Sequence, residues 1–134
     1  MNEEFHSIRK WGLKENNVVV EKSYAFAIRI VNCYKYLCTE KNEYVLSKQL
    51  LRSGTSIGAN LEEAVGGQSR NDFSAKMSIA YKEARETNYW LRILRDTRFI
   101  TSKMSESLLA DNEEMIKLIG SIVKTLKQKE IPNS

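Results

Sequence analysis

The sequence has little of what breaks helices or binds metals. Its 134 residues contain one proline, Pro132, near the C-terminal end, so proline interrupts no helix before it. The two cysteines, Cys33 and Cys38, stand five positions apart in a helical pattern and therefore point to different sides, which favours reduced thiols over a disulfide. The single histidine, His6, cannot supply the paired Glu-x-x-His motifs of a di-iron bundle, nor a structural zinc site. We therefore expect no metal, no cofactor and no catalytic residues, and hence no enzymatic activity.

Long apolar runs are also missing. The longest purely apolar segments extend over a few residues, whereas a membrane-spanning helix needs about 20. The first ten residues, MNEEFHSIRK, lack the basic start and the long apolar stretch of a signal peptide. The sequence therefore predicts a cytoplasmic protein with no membrane contact, and its length predicts one domain with a single core.

Apolar residues recur at helical spacing along four segments joined by short polar turns. The predicted helices extend over residues 18–38, 44–65, 69–97 and 101–129, with Ser69 and either Thr101 or Ser102 as N-caps. In the first helix a broad apolar face combines a line through Val20 and Tyr24 with a line through Phe26 and Ile30. Short connections force neighbouring helices to run antiparallel. The predicted fold is all-α, an up-down-up-down four-helix bundle over residues 18–129, with tails at 1–17 and 130–134.

The stretch RSGTSIGAN, residues 52–60, resembles a loop but lies inside the second predicted helix. At 100° per residue, Gly54 and Gly58 fall within the apolar arc of that helix, so both should be buried. We expect close approach of a bulky neighbour to compensate for their poor helix propensity, and Tyr24, Tyr34 and Trp90 are large enough for this. A phosphate-binding loop is excluded, because no Lys-Ser/Thr pair follows the second glycine and no strand precedes it.

A polar stripe runs beside that apolar arc. Together with an acid on the third helix, its members are Arg52, Ser53, Ser56, Asn60, Glu63 and Glu86. A buried polar network that fixes helix register is the main interpretation, with Arg52 and Glu86 as a buried ion pair. A ligand pocket or a subunit interface remains an alternative.

The third predicted helix also carries a basic and aromatic face. The net charge is +4, and residues 67–98 hold seven basic against four acidic side chains, so most of the excess is local. The face consists of Tyr81, Lys82, Arg85, Tyr89 and Arg92. Arginines bind phosphates and tyrosines stack on bases, which suits RNA or single-stranded nucleic acid. The alternatives are a solvated face and a protein-interaction adapter that binds no nucleic acid.

Three segments resemble a known bacterial family, that of proteins encoded in intervening sequences of 23S ribosomal RNA genes. They are EKSYAFAIRIVNCYKYL, LSKQLLRSGTSIGANLEEA and DFSAKMSIAYKEARETNYWLRIL, and the resemblance covers about residues 17–127. It implies a left-handed antiparallel four-helix bundle that assembles as a homopentameric ring, without known enzymatic activity and with an association with ribosomal RNA. The accessory variability determinants of diversity-generating retroelements are similar in fold and bind nucleic acid and a reverse transcriptase.

The resemblance also bears on individual residues. It matches Arg52, Ser53, Ser56, Asn60 and Glu86 to polar positions of the family, and Tyr81, Arg85 and Arg92 to its basic surface. We therefore expect a homo-oligomeric scaffold whose partners are RNA or another nucleic acid, or else a protein.

Overall fold

Four α-helices make up most of the protein. The computed structural model describes residues 15–130, with side chains over 17–128. Helix α1 spans Glu15–Lys41, α2 spans Leu46–Val65, α3 spans Arg70–Asp96 and α4 spans Ser102–Glu130. No strand occurs between residues 15 and 130, so the predicted all-α class is confirmed. The first helix begins three residues earlier than predicted, and the rest of the two predicted tails lies outside the described residues.

The helices pack in cyclic order and run antiparallel. Each helix contacts the next along the chain, and α4 closes the bundle by contacting α1. Between α2 and α3, Arg52 contacts Glu83 whereas Glu63 contacts Lys76, so positions rise along one helix as they fall along the other. Connections of four or five residues leave no length for a crossover. The up-down-up-down prediction is confirmed.

Side-chain caps fix where two of the helices begin. The Ser69 hydroxyl accepts a hydrogen bond from the backbone N–H of Asp72 at 3.1 Å, as the sequence predicted for the start of α3. The Thr101 hydroxyl accepts from the backbone N–H of Met104, also at 3.1 Å, and so resolves the choice between the two predicted caps of α4 in favour of Thr101.

Glu43 caps α2 in a way that the sequence did not suggest. Asn42, in the left-handed region at φ 51°, ends α1, and the buried Glu43 carboxylate then accepts backbone N–H bonds from Val45, Leu46 and Ser47 at 3.0, 2.8 and 2.7 Å. Burial alone would raise the pKa of Glu43, but these bonds together hold the pKa below its usual range. The helix therefore begins at Leu46, two residues later than predicted.

Replacing Glu43 by Gln is expected to lower the free energy of unfolding at pH 7 by about 1 kcal/mol, the usual size of a lost N-cap. Because the folded-state pKa of Glu43 is depressed, its stabilisation is present above the unfolded pKa of about 4.3 and is lost as the pH falls through the folded value. Urea denaturation of both proteins from pH 7 to pH 3 should show the difference shrinking. Glu40→Gln, at an exposed glutamate of α1 that forms no ion pair in the described chain, serves as the control and should leave stability unchanged.

One apolar core runs along the bundle axis. Its largest fully buried side chains are Phe26, Ile30, Leu37, Leu50, Ile57, Leu61, Phe73, Met77, Leu91, Leu94, Met115 and Ile119. Of the two lines predicted on α1, the one through Phe26 and Ile30 enters the core. Tyr24, on the other line, is 66% exposed, and Ile28, one turn further along the helix, is 49% exposed. The placement of Tyr24 in the core stripe was therefore wrong, and α1 presents an apolar strip to the outside.

Gly54 and Gly58 lie in the buried face of α2, as predicted. Their predicted neighbours were wrong, because α1 approaches through smaller side chains than Tyr24, Tyr34 or Trp90. A Cβ on Gly54 would lie 2.8 Å from both Cγ1 and Cγ2 of Ile30, and a Cβ on Gly58 would lie 3.1 Å from the Ser23 hydroxyl. The glycines therefore allow close packing of α1 against α2 through Ile30 and Ser23.

Candidate nucleic-acid interface

The predicted basic face of α3 divides into two parts. Tyr81, Arg85 and Arg92 turn toward α4, where Arg85 and Arg92 line a cavity of about 280 Å³ and Tyr81 lines a second cavity of about 410 Å³. Lys82 and Tyr89 line neither cavity and are exposed. The structure thus brings three of the five predicted residues to one place and leaves two on the outer side of the helix.

Helix α4 completes this site with residues that the sequence reasoning missed. Lys117 lines the first cavity, and Lys124 and Lys127 line the second. Their spacing of seven and three positions puts them on one side of α4, and that periodicity was a signal that could have found them. We call the combined feature the α3–α4 groove and define it by Tyr81, Arg85, Arg92, Lys117, Lys124 and Lys127.

The floor of the groove depends on a glycine. Gly120 of α4 faces the Tyr81 ring, and a Cβ there would lie 3.0 Å from Tyr81 Cε1. The ring therefore lies half-buried against α4 instead of projecting into solvent. Arg85 Cζ stands 5.9 Å from the centroid of that ring, a cation–π distance, so a side chain that lines the first cavity contacts the ring that lines the second.

The charge of the groove is strongly one-sided. Five cationic side chains line its two cavities, against a single carboxylate, that of Glu113. None of the five forms an ion pair with a carboxylate in the described part of the chain. Arg92 is oriented instead by its Nε–H bond to Asn88 Oδ1 at 2.8 Å and by the Tyr89 ring, whose centroid is 5.9 Å from Cζ. Anionic oxygens could bind here without displacing an existing salt bridge.

The core beneath the groove contains a polar contact between its two helices. Asn112 of α4 is fully buried and donates from Nδ2 to the backbone carbonyl of Ala84 at 2.9 Å. This bond crosses between α3 and α4 directly beside Arg85, which follows Ala84 in the chain, and it fixes how the two walls of the groove align.

The polar stripe of α2 makes its contacts within the protein. Arg52 donates from Nη1 to Glu83 Oε2 at 3.0 Å and from Nη2 to Glu86 Oε2, and the latter oxygen also accepts from the Trp90 indole at 2.9 Å. The pKa of Glu86 lies below its usual range, mainly because of the hydrogen bond from Trp90 and also because of the hydrogen bond and the charge of Arg52. Partial burial acts in the opposite direction but is outweighed. The predicted Arg52–Glu86 contact is present, but the pair is not buried, since the two side chains are 48% and 35% exposed.

The remaining members of the stripe also have partners. Ser53 accepts from the Thr87 hydroxyl at 3.0 Å in the core, and Glu63 pairs with Lys76 at 2.6 Å on the surface. Ser56 and Asn60 bond back to backbone carbonyls of α2 one turn earlier, those of Arg52 and Ser56. All six side chains are therefore engaged within the protein, and their role in fixing register stays a prediction.

The described residues contain neither a metal-binding cluster nor a membrane-spanning helix. Between residues 15 and 130, no group of three or more His, Cys, Asp and Glu side chains is placed to hold a metal ion. Within the same range, no helix is both long enough and apolar enough to cross a bilayer. Cys33 and Cys38 are free thiols, and burial raises the pKa of Cys33 to about 11, which keeps it protonated and poorly nucleophilic.

The fold and the site together define an antiparallel four-helix-bundle protein with a basic groove along one pair of helices. A family model described as 23S rRNA-intervening sequence protein matches residues 15–121. The chain belongs to this family, and the resemblance read from its sequence is confirmed.

A solved structure supports the same assignment. The chain is similar to a protein of unknown function from the S23 ribosomal protein family of Bacteroides thetaiotaomicron VPI-5482, with 55% sequence identity and a TM-score of 0.80. The match covers 82% of this chain and 98% of that one. No curated protein matches the chain.

Proposed function

We propose that this protein is a non-enzymatic, homo-oligomeric scaffold that binds RNA through the α3–α4 groove. The observation that carries the proposal is the set of five cationic side chains without carboxylate partners, aligned along one pair of helices against Glu113 alone. Each cation that neutralises a phosphate releases a condensed counterion, which is the main source of affinity for nucleic acids.

The shape and chemistry of the groove favour RNA among polyanions. Arg85 lies against the Tyr81 ring, and its planar guanidinium offers a surface that stacks on unpaired bases. The names of the matching family and of the similar structure, which refer to 23S rRNA and to a ribosomal protein, point to ribosomal RNA as the first partner to test. Because the net charge is only +4, we expect RNA to contact this groove locally and not to bind nonspecifically over the whole protein surface.

Self-association would strengthen such a contact. Tyr24 and Ile28 form an exposed apolar strip on α1, one turn apart, which fits a second copy of this chain. Repeating the groove around a closed ring would convert several weak contacts into one strong attachment. The strip lies on α1 and the groove lies between α3 and α4, so the two proposed surfaces share no residue.

RNA binding is tested by fluorescence anisotropy of a labelled structured RNA, repeated from low to physiological salt. With three to five phosphate contacts at about 0.7 each, log Kd should rise with log salt at a slope of about 2–4. Lys124→Gln with Lys127→Gln should lower that slope by about 1–1.5, because two contacts are lost. Absence of binding at low salt would reject the proposal, and salt-insensitive capture of a protein in its place would favour the adapter alternative.

The oligomer is tested by sedimentation velocity. Tyr24→Asp with Ile28→Asp should shift the protein toward monomer, because each copy would place two carboxylates in an apolar contact. Gln49→Asp with Ala59→Asp, at exposed positions of α2 instead of α1, makes the matched control and should leave the sedimentation coefficient unchanged. A monomeric parent protein at micromolar concentration, or equal behaviour of the two variants, would contradict the assignment of this strip.

A further inference from the structure

A separate cavity lies at the end of the bundle where α3 is joined to α4. It has a volume of about 660 Å³ and is lined from three parts of the chain: the last turns of α1, the end of α3, and the turn that leads into α4. That volume falls within the range of about 300–1,000 Å³ that small-molecule sites occupy. Neither the α3–α4 groove nor the polar stripe of α2 contributes a residue to it.

The cavity carries an excess of positive charge. Lys41, Arg95 and Arg98 line it together with one acid, Asp96. Asp96 is already bound to Arg95, with Nε–Oδ1 and Nη2–Oδ2 distances of 2.7 and 3.2 Å. Lys41 and Arg98 have no carboxylate partner in the described chain, so two positive charges from different helix ends face one space.

The same cavity has an aromatic wall. The rings of Tyr36 and Phe99 line it, and Lys41 Nζ lies 5.9 Å from the Tyr36 ring centroid. A flat ring that stacks on Phe99 would share the cavity with Lys41 and Arg98, which could then hold its charged substituents. The hydroxyls of Thr101 and Ser102 complete the lining with further hydrogen-bonding groups.

The geometry points to a binding site for a nucleoside phosphate, with the base against the aromatic wall and the phosphate held by Lys41 and Arg98. Two sources share this chemistry, a free nucleotide and the phosphorylated end of an RNA strand. The site stands independently of the proposed RNA groove, because it uses other residues at one end of the bundle.

Isothermal titration calorimetry of the full chain with adenosine monophosphate, inorganic phosphate and adenosine tests the site. We expect the nucleotide to bind at least about tenfold more tightly than either half alone, because only the nucleotide engages both walls. Lys41→Gln with Arg98→Asn should weaken nucleotide binding at least about tenfold. Asparagine is chosen because Arg98 has φ 66°, a left-handed conformation that Asn tolerates.

Two further variants keep the test decisive. Phe99→Leu removes the ring and leaves the charges, and should weaken the nucleotide but not inorganic phosphate. Lys124→Gln with Lys127→Gln removes two cations from the groove and should leave nucleotide binding unchanged. Circular dichroism melting confirms that each variant is folded.

The outcomes separate the site from its surroundings. No nucleotide binding at millimolar concentration, or loss of binding in the groove variant with retention in the Lys41 and Arg98 variant, would overturn the inference. Displacement of the nucleotide by a 5′-phosphorylated oligoribonucleotide, but not by its 5′-hydroxyl form, would identify an RNA end as the source. Displacement by neither would identify the free nucleotide, and both of these results support the site. If the protein binds the nucleotide but the anisotropy measurements detect no RNA binding, only the proposed function of the α3–α4 groove is rejected.

Discussion

Replacing Arg85 and Arg92 together by Glu is expected to weaken RNA binding at least about hundredfold at physiological salt. Each arginine can donate charge-assisted hydrogen bonds worth about 1.5–3 kcal/mol, and 1.4 kcal/mol corresponds to a factor of ten. The substitution also turns a groove with five cations and one carboxylate into one with three of each. Fluorescence anisotropy with the structured RNA used above gives the Kd directly.

A matched charge reversal distinguishes a local contact from a general effect of net charge. Lys48→Glu with Lys103→Glu makes the same change in net charge at exposed lysines that form no ion pair in the described residues and lie outside the groove. This control should lose less than about tenfold in affinity, through long-range field alone. If both variants lost the same RNA affinity, binding would depend only on the net charge of the protein, and the groove would have no special role.

Replacing Gly54 by Ala is expected to lower the free energy of unfolding by about 1–2 kcal/mol. Overpacking a core costs about 1–3 kcal/mol, and exchanging Gly for Ala within a helix returns up to about 1 kcal/mol. The added Cβ would lie 2.8 Å from two carbons of Ile30, which is fully buried and branched at Cβ, so that it cannot turn aside cheaply. Urea denaturation monitored by circular dichroism measures the change.

Gly66→Ala provides the control, because it makes the same chemical change at the end of the same helix. Its backbone has φ −83°, and a Cβ there would lie 3.7 Å from its nearest neighbour, the Glu62 carbonyl oxygen. The substitution should leave stability unchanged or raise it by about 0.4–1 kcal/mol. If Gly54→Ala were equally harmless, the close approach of Ile30 would not constrain α2, and the account of the buried glycines would be wrong.

Much of the fold follows from local rules that need no knowledge of the neighbours. A serine followed three positions later by an acid predicted the start of α3, and the Ser69–Asp72 cap forms there. The angular position of Gly54 and Gly58 on α2 predicted that both are buried, because helical geometry alone fixes that angle. These predictions concern one helix at a time.

The errors arose where two helices must meet. On α1 two adjacent apolar lines have similar periodicity, and only contact with α2 and α4 decides that Ile30 is inside while Tyr24 is outside. The Arg52–Glu86 pair was placed in the core, but the long arginine side chain reaches its acids across the surface. The lysines of the groove were missed because they belong to α4, and only the packing of the bundle brings α4 alongside the basic face of α3.

The even number of antiparallel helices also gives the molecule two poles with different uses. Glu15 and Glu130 lie at one pole, and the turn 97–101, with the aromatic and cationic cavity, lies at the other. Helix α1, with 27 residues at about 1.5 Å each, separates the poles by roughly 40 Å. A fluorophore or a surface tether attached at Glu15 or Glu130 would therefore stand far from that cavity, so immobilised protein can be probed for nucleotides at its free pole.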